Sequence, residues 1–177
     1  ALRRQVRYYS EHRVLDKFDK DFMSQFEEVV FVGCGTAYHA ALIGANYFKK
    51  QLNIKARAEV ASEFIYSKPL FASEKMLFVF VSQSGETADT LHALKIIKEK
   101  NAFTVAVTNV AYSSLAQKVD AVVDIFAGTE IAVASTKAYV CMLSSLYLMI
   151  LQMKGKVDIG FKEIEDVSTK LLEFDFE

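Results

Sequence analysis

Ser82, Gln83, Ser84, Gly85, Glu86 and Thr87 pack three hydroxyls, an amide and a glycine into six consecutive residues. A continuous apolar run at 76–81 precedes them and reads as a buried strand, and a helical pattern follows over about 86–100. A tight turn opening a helix leaves several backbone N–H groups unpaired, and the helix dipole adds partial positive charge at the same place. Ser82, Ser84 and Thr87 add hydroxyl donors, and Gly85 lets backbone come close to a ligand. Such a turn can hold a phosphate without Lys or Arg. The plainer reading is an ordinary Ser or Thr helix cap, but one cap accounts for only one of the hydroxyls. Glu86 suits a helix N-terminus yet would repel a phosphate, so its side chain is expected to turn away.

Two further stretches carry polar chemistry. Gly33-Cys34-Gly35-Thr36 follows an apolar run at 29–32. It is either a plain tight strand-to-helix turn or one that aims Thr36 and its amide at a small ligand. A dinucleotide fingerprint needs Gly or Ala where Tyr38 stands, which argues against a nicotinamide cofactor even though Glu59 sits where a ribose-binding acid would. Cys34 as a nucleophile would need His39 or His92 as base; a small buried residue is the simpler role. The three histidines lack metal spacing and His12 reads as a surface residue, so neither a metal nor a cofactor is expected. The small-residue stretch 127–134 ends at Ser135, and Thr129, Ser135 and Thr136 make it a third hydroxyl-bearing rim. Glu130 and Lys137 flank it as helix-terminus or solvent-facing charges.

The elements that must position these stretches follow from apolar patterning. Strands are expected at 29–32, 55–60, 76–81, 103–108 and 121–126, with helices at about 36–52, 62–66, 86–100, 113–119, 135–154 and 161–174. Pro69 ends the second of these helices, and Ser135 caps the long one. Residues 1–12 read as a basic amphipathic surface helix, and 19–27 as a second short one. Repeated β-α units predict a three-layer α-β-α sandwich around a five-stranded parallel sheet, order 2-1-3-4-5, a flavodoxin-like arrangement. Its ligand crevice opens between the first and third strands, where the two most chemical turns fall.

At 177 residues and 52% hydrophobic, the chain is long enough for a proper core. The net charge of -1, with scattered Lys and Arg, points neither to a nucleic-acid groove nor to a membrane-binding face. Cys34 and Cys141 read as reduced thiols of a cytoplasmic protein. The uncharged stretch 138–153 falls short of the roughly 20 apolar residues that span a bilayer. It reads as a buried helix needing cover from another domain or subunit, and self-association is expected through it.

The stretches at 32–36, 82–90 and 127–138, with Ala61-Ser62-Glu63-Phe64, resemble the sugar isomerase (SIS) domain. More narrowly they are similar to the first SIS domain of the isomerising glutamine–fructose-6-phosphate aminotransferases, the glucosamine-6-phosphate synthases. The resemblance implies that Ser82, Gln83, Ser84 and Thr87 bind the phosphate of a hexose 6-phosphate (fructose 6-phosphate or glucosamine 6-phosphate). It implies sugar contacts from Cys34, Gly35, Thr36 and Ala37 on one side and Val133, Ala134 and Ser135 on the other. It also implies a homodimer that works with a second SIS domain and a glutaminase domain, neither of which this chain contains. The family's ring-opening histidine, enolising glutamate and Schiff-base lysine match no residue here, so no catalytic residue is expected in this chain. Residues 1–28 would be N-terminal helices, 29–155 the phosphosugar-binding domain, and 156–177 a helix leading to the second SIS domain. The family usually has Ser at Ala37 and Gly at Ala132. A relative acting on a fructosamine 6-phosphate, or a stand-alone phosphosugar sensor, therefore remains open on sequence.

Overall fold

The computed structural model describes residues 1–67, 72–130 and 135–174. Five parallel strands form one sheet in the order β2-β1-β3-β4-β5: β1 (Glu28–Gly33), β2 (Lys55–Val60), β3 (Met76–Ser82), β4 (Phe103–Thr108) and β5 (Ala121–Asp124). This is the sheet expected from the apolar runs. β1 and β3 pair in register from Glu28 opposite Met76 to Gly33 opposite Val81, so both central strands reach the same edge together.

Every residue of β3 is buried, because helices cover both faces. One core layer takes Val29 and Phe31 of β1 against α3 (Gly35–Leu52) and α6 (Lys137–Met153). The other takes Val30 and Val32 against α4 (Ala61–Phe64) and α5 (Ala88–Lys98). The two-residue alternation of a strand thus supplies both layers from one short run.

Several expected elements differ. Residues 113–119 form successive turns, not a helix. Only part of a helical ladder forms: Gln117 N–H reaches the Ser113 carbonyl at 3.0 Å, Lys118 N–H falls short to Leu115 at 3.1 Å, and the leading donors serve other segments, Leu115 N–H the Gly85 carbonyl at 3.0 Å and Ser114 N–H Glu86 Oε1 at 2.7 Å. The fifth strand stops at Asp124, where Asp124 Oδ1 accepts the Phe126 N–H at 2.7 Å and Phe126 turns to φ 50°. α5 starts at Ala88, two residues late, and α7 (Val157–Glu173) starts four residues early. The expected stop at Pro69 lies outside the described residues.

α1 (Leu2–His12) is not merely a surface helix. Gln5, Val6 and Tyr9 are buried in the same layer as α6, and α2 (Lys20–Met23) closes the far end of that layer. α6 therefore finds its cover within the chain, from α1, α3 and α7, although Val140 stays 44% exposed. Among the described residues, no helix is long and apolar enough to cross a membrane.

Candidate functional site

β1 and β3 end side by side, and their chain continuations diverge to opposite sides of the sheet. That divergence opens a cavity of about 200 Å³. The β1–α3 turn contributes Cys34, Thr36 and Ala37; the β3–α5 turn contributes Ser82, Gln83, Ser84 and Thr87. Glu130, Ser135 and Met142 close the third side. Gly35 is exposed between two of these lining residues, at φ 54°, a conformation that favours glycine. Val133 and Ala134 lie outside the described residues.

In the β3–α5 turn, loop amides occupy acceptor sites on the hydroxyl oxygens. Gly85 N–H donates to Ser82 Oγ at 3.1 Å, and Glu86 N–H donates to Ser84 Oγ at 3.1 Å. Each hydroxyl has one O–H and two lone pairs, so both O–H groups remain able to donate. Ser82 Oγ and Thr87 Oγ1 stand 3.4 Å apart. Thr87 is the N-cap residue of α5 by position, yet its side chain makes no capping hydrogen bond. The first-turn N–H groups of α5, which have no intrahelical acceptors, are thus not satisfied by that hydroxyl. The plain capping account does not describe this turn.

Gly85 serves a different purpose from the one expected. It is buried at φ 67°, and a Cβ there would stand 2.1 Å from Ser113 Oγ and 3.1 Å from Thr108 Oγ1. The space it leaves is filled by the 108–115 segment, not left open for a ligand. The same segment anchors the turn elsewhere: Asn109 N–H donates to the Gln83 carbonyl at 3.0 Å. Glu86 turns to Ser114 and lies outside the described cavity lining, and that N–H holds its carboxyl below the ordinary value.

The third side is built around Glu130. Its Oε1 accepts from Thr136 N–H at 2.9 Å, Lys137 N–H at 3.1 Å and the Thr136 hydroxyl at 3.2 Å; Oε2 accepts from the Ser135 hydroxyl at 3.3 Å. Burial works against its ionisation, but these hydrogen bonds outweigh it and keep the carboxyl below its ordinary value. Glu130 is therefore the acceptor that caps α6. Ser135, the expected cap, donates to that carboxylate instead. Lys137 points its ammonium back to the Thr129 carbonyl.

Asn109 was not singled out in the sequence. Its Nδ2 donates to the Gly128 carbonyl at 2.8 Å, and its Oδ1 accepts from Ala127 N–H at 2.8 Å. With its N–H on Gln83, it ties the hydroxyl turn to the third side. The only sequence signal was an Asn just beyond a strand end, a common turn residue.

Chemically, the described lining offers N–H and O–H donors at three helix N-termini, one carboxylate and one thiol. Cys34 is half-buried at the cavity, not fully enclosed. His39 and His92 are exposed and line no part of the described cavity, so neither serves Cys34 as a base there. The positive ends of α3 and α5 and the neutral donors of that side favour an anion there, opposite the Glu130 carboxylate.

Comparison with known proteins agrees in sequence and in fold. Residues 22–152 match the SIS domain.

The chain belongs to the SIS domain family.

It is 40% identical over 157 residues to a glutamine–fructose-6-phosphate aminotransferase (isomerizing) of Clostridium tetani, covering 88% of this chain and 26% of that protein. Over 162 residues it is 43% identical to the protein of the same name from Caldanaerobacter subterraneus, covering 90% of this chain and 26% of that one. This SIS chain thus spans about a quarter of the length of those relatives. Among solved structures, the C-terminal domain of glucosamine-fructose-6-phosphate aminotransferase from Francisella tularensis superposes with a TM-score of 0.74 at 29% identity, covering 93% of this chain and 52% of that one. Glucosamine-6-phosphate deaminase from Thermotoga maritima superposes with a TM-score of 0.69 at 28% identity, covering 97% and 56%.

Proposed function

We propose that this chain is the phosphosugar-binding part of a glutamine–fructose-6-phosphate aminotransferase (isomerising). It takes fructose 6-phosphate or glucosamine 6-phosphate at the β1/β3 crevice. The observation that carries the reading is the uncharged donor cradle of the β3–α5 turn, whose O–H groups and helix N-terminus face a cavity with no Lys or Arg in its described lining. Ser82, Gln83, Ser84 and Thr87 hold the phosphate. Cys34, Gly35, Thr36 and Ala37 contact the sugar from one side, and Val133, Ala134 and Ser135 from the other.

The chain holds the substrate; the atoms that transfer ammonia and isomerise the sugar belong to further domains, a second SIS domain reached through 156–177 and a glutaminase. Residues 1–28 and 156–177 flank the binding domain at 29–155. We also infer a cytoplasmic homodimer associating through the outer face of α6, where Val140 is exposed.

Calorimetric titration with fructose 6-phosphate, glucosamine 6-phosphate and inorganic phosphate tests the reading. The sugar phosphates are expected to bind more tightly than phosphate, and Ser84→Ala with Thr87→Ala is expected to abolish binding while the chain stays folded. Unchanged affinity in that variant overturns the site assignment.

A further inference from the structure

Three consecutive carbonyl oxygens at the end of β5 are each taken by a side chain of α1. Tyr9 OH donates to Asp124 O at 2.8 Å, Gln5 Nε2 to Ile125 O at 2.8 Å, and Arg4 Nη2 to Phe126 O at 3.1 Å. β5 is the edge strand, so these groups have no further strand to pair with. The fastening continues beyond the strand. The Tyr8 ring stacks on Phe126 at 4.0 Å and 5°, and the Arg4 guanidinium lies 5.2 Å from the centre of the same ring. Gly128, at φ 74°, has Arg4 Nη2 where a Cβ would stand, 2.1 Å away. Phe126 itself holds φ 50°, which a bulky residue adopts only when its surroundings enforce it.

This segment leads directly to Glu130, which lines the cavity and organises Ser135, Thr136 and the start of α6. The hydroxyl turn at 82–87 is supported differently, by the 108–115 segment. Asn109 joins the two sides, but the α1 contacts above fall on the 124–128 side alone.

We propose that α1 is a latch that sets the sugar-facing side of the cavity, with Arg4 and Tyr8 as positioning residues acting through the 124–130 strap. They govern selectivity for the sugar without touching the phosphate cradle. The latch itself stands on the contacts above; its effect on selectivity rests on the phosphosugar reading.

The test uses the full chain carrying Arg4→Ala and Tyr8→Ala. Arg4 is exposed and Tyr8 half-buried, so the fold is expected to persist. Amide hydrogen exchange is expected to rise by about tenfold or more at Thr136 and Lys137, with α5 unchanged, since local opening is set by local contacts. Fructose 6-phosphate affinity is expected to fall roughly fivefold while inorganic phosphate affinity holds, as loss of one stacked, hydrogen-bonded anchor implies. Tyr8→Phe, which keeps the stacked ring, is expected to behave as the parent. Unchanged exchange at Thr136 and Lys137, or equal acceleration in α5, overturns the latch. If the parent chain binds neither ligand, the phosphosugar reading fails, while the exchange result still decides the latch. If exchange rises but both affinities fall alike, the selectivity role is overturned.

Discussion

Asn109 Nδ2 reaches the carbonyl of Gly128 at 2.8 Å, and through that bond two loops from different strand ends become one wall. Asn109 also accepts the Ala127 N–H, so Asn109→Leu strips partners from a donor and an acceptor at once. The expected cost is about 2 kcal/mol, since groups left unpaired lose more than an average hydrogen bond contributes. Chemical denaturation measures it. Phosphosugar affinity is expected to fall with it, because Gln83 loses its register with the third side. Full stability in the variant would show that water replaces both bonds.

Gly85 and Ser113 form a coupled pair. Gly85→Ala meets two obstacles, the positive φ and the Ser113 hydroxyl 2.1 Å from the new methyl. Together they are expected to cost about 3 kcal/mol. Ser113→Gly removes the second obstacle but not the first. In a double-mutant cycle, Gly85→Ala is therefore expected to cost only about 1–2 kcal/mol in the Ser113→Gly background. Additive costs would show that Ser113 already moves aside.

The acid response of α6 follows from Glu130. Its folded-state value lies below the ordinary 4.5, so its contribution is complete above about that pH and is lost as pH falls through the lower folded value. At neutral pH, Glu130→Gln is expected to lower stability by about 1 kcal/mol, the usual scale for losing a helix cap. As pH drops below 4.5 the parent is expected to approach the variant, because protonation removes the same charge. Denaturant midpoints at neutral and acid pH make the comparison, and other carboxylates cancel because both proteins carry them. A gap that stays constant with pH would assign the effect to shape, not charge.

The parallel sheet was legible because its strands are buried on both faces. Val29 to Val32 and Met76 to Val81 are continuous apolar runs that no surface element would carry. The hydroxyl turn was legible for the same local reason: its chemistry sits in six adjacent residues. What could not be read depends on partners distant in sequence. Gln5 looks polar and exposed in a basic helix, and is buried only because Ile125, Cys141 and Ser145 stand ready to accept from it. Ser113 does accept the Ala116 N–H at 3.3 Å in the manner of a cap, but no regular helix follows, and Ser114 and Leu115 give their N–H groups to Glu86 and Gly85. Ser135 is adjacent to a helix and still loses the capping role to Glu130, whose carboxylate returns to meet three donors of Thr136 and Lys137.

The two thiols should report on the cavity. Cys34 is half-buried and lines it, whereas Cys141 is fully buried in α6, where burial pushes its thiol up to about 11. The thiolate is the reactive form, so Cys141 is doubly protected, by access and by protonation. A small maleimide followed by intact mass is expected to modify one site in the native chain, at Cys34, and two in denaturant. Fructose 6-phosphate at ten times its dissociation constant leaves about one-tenth of the chains open, so modification is expected to slow about tenfold if the sugar covers the thiol. Inorganic phosphate, if the β3–α5 turn is its site as proposed, is expected to slow it far less. Binding of fructose 6-phosphate with no change in rate would remove Cys34 from the contact surface and place the sugar toward Glu130 and Ser135 instead.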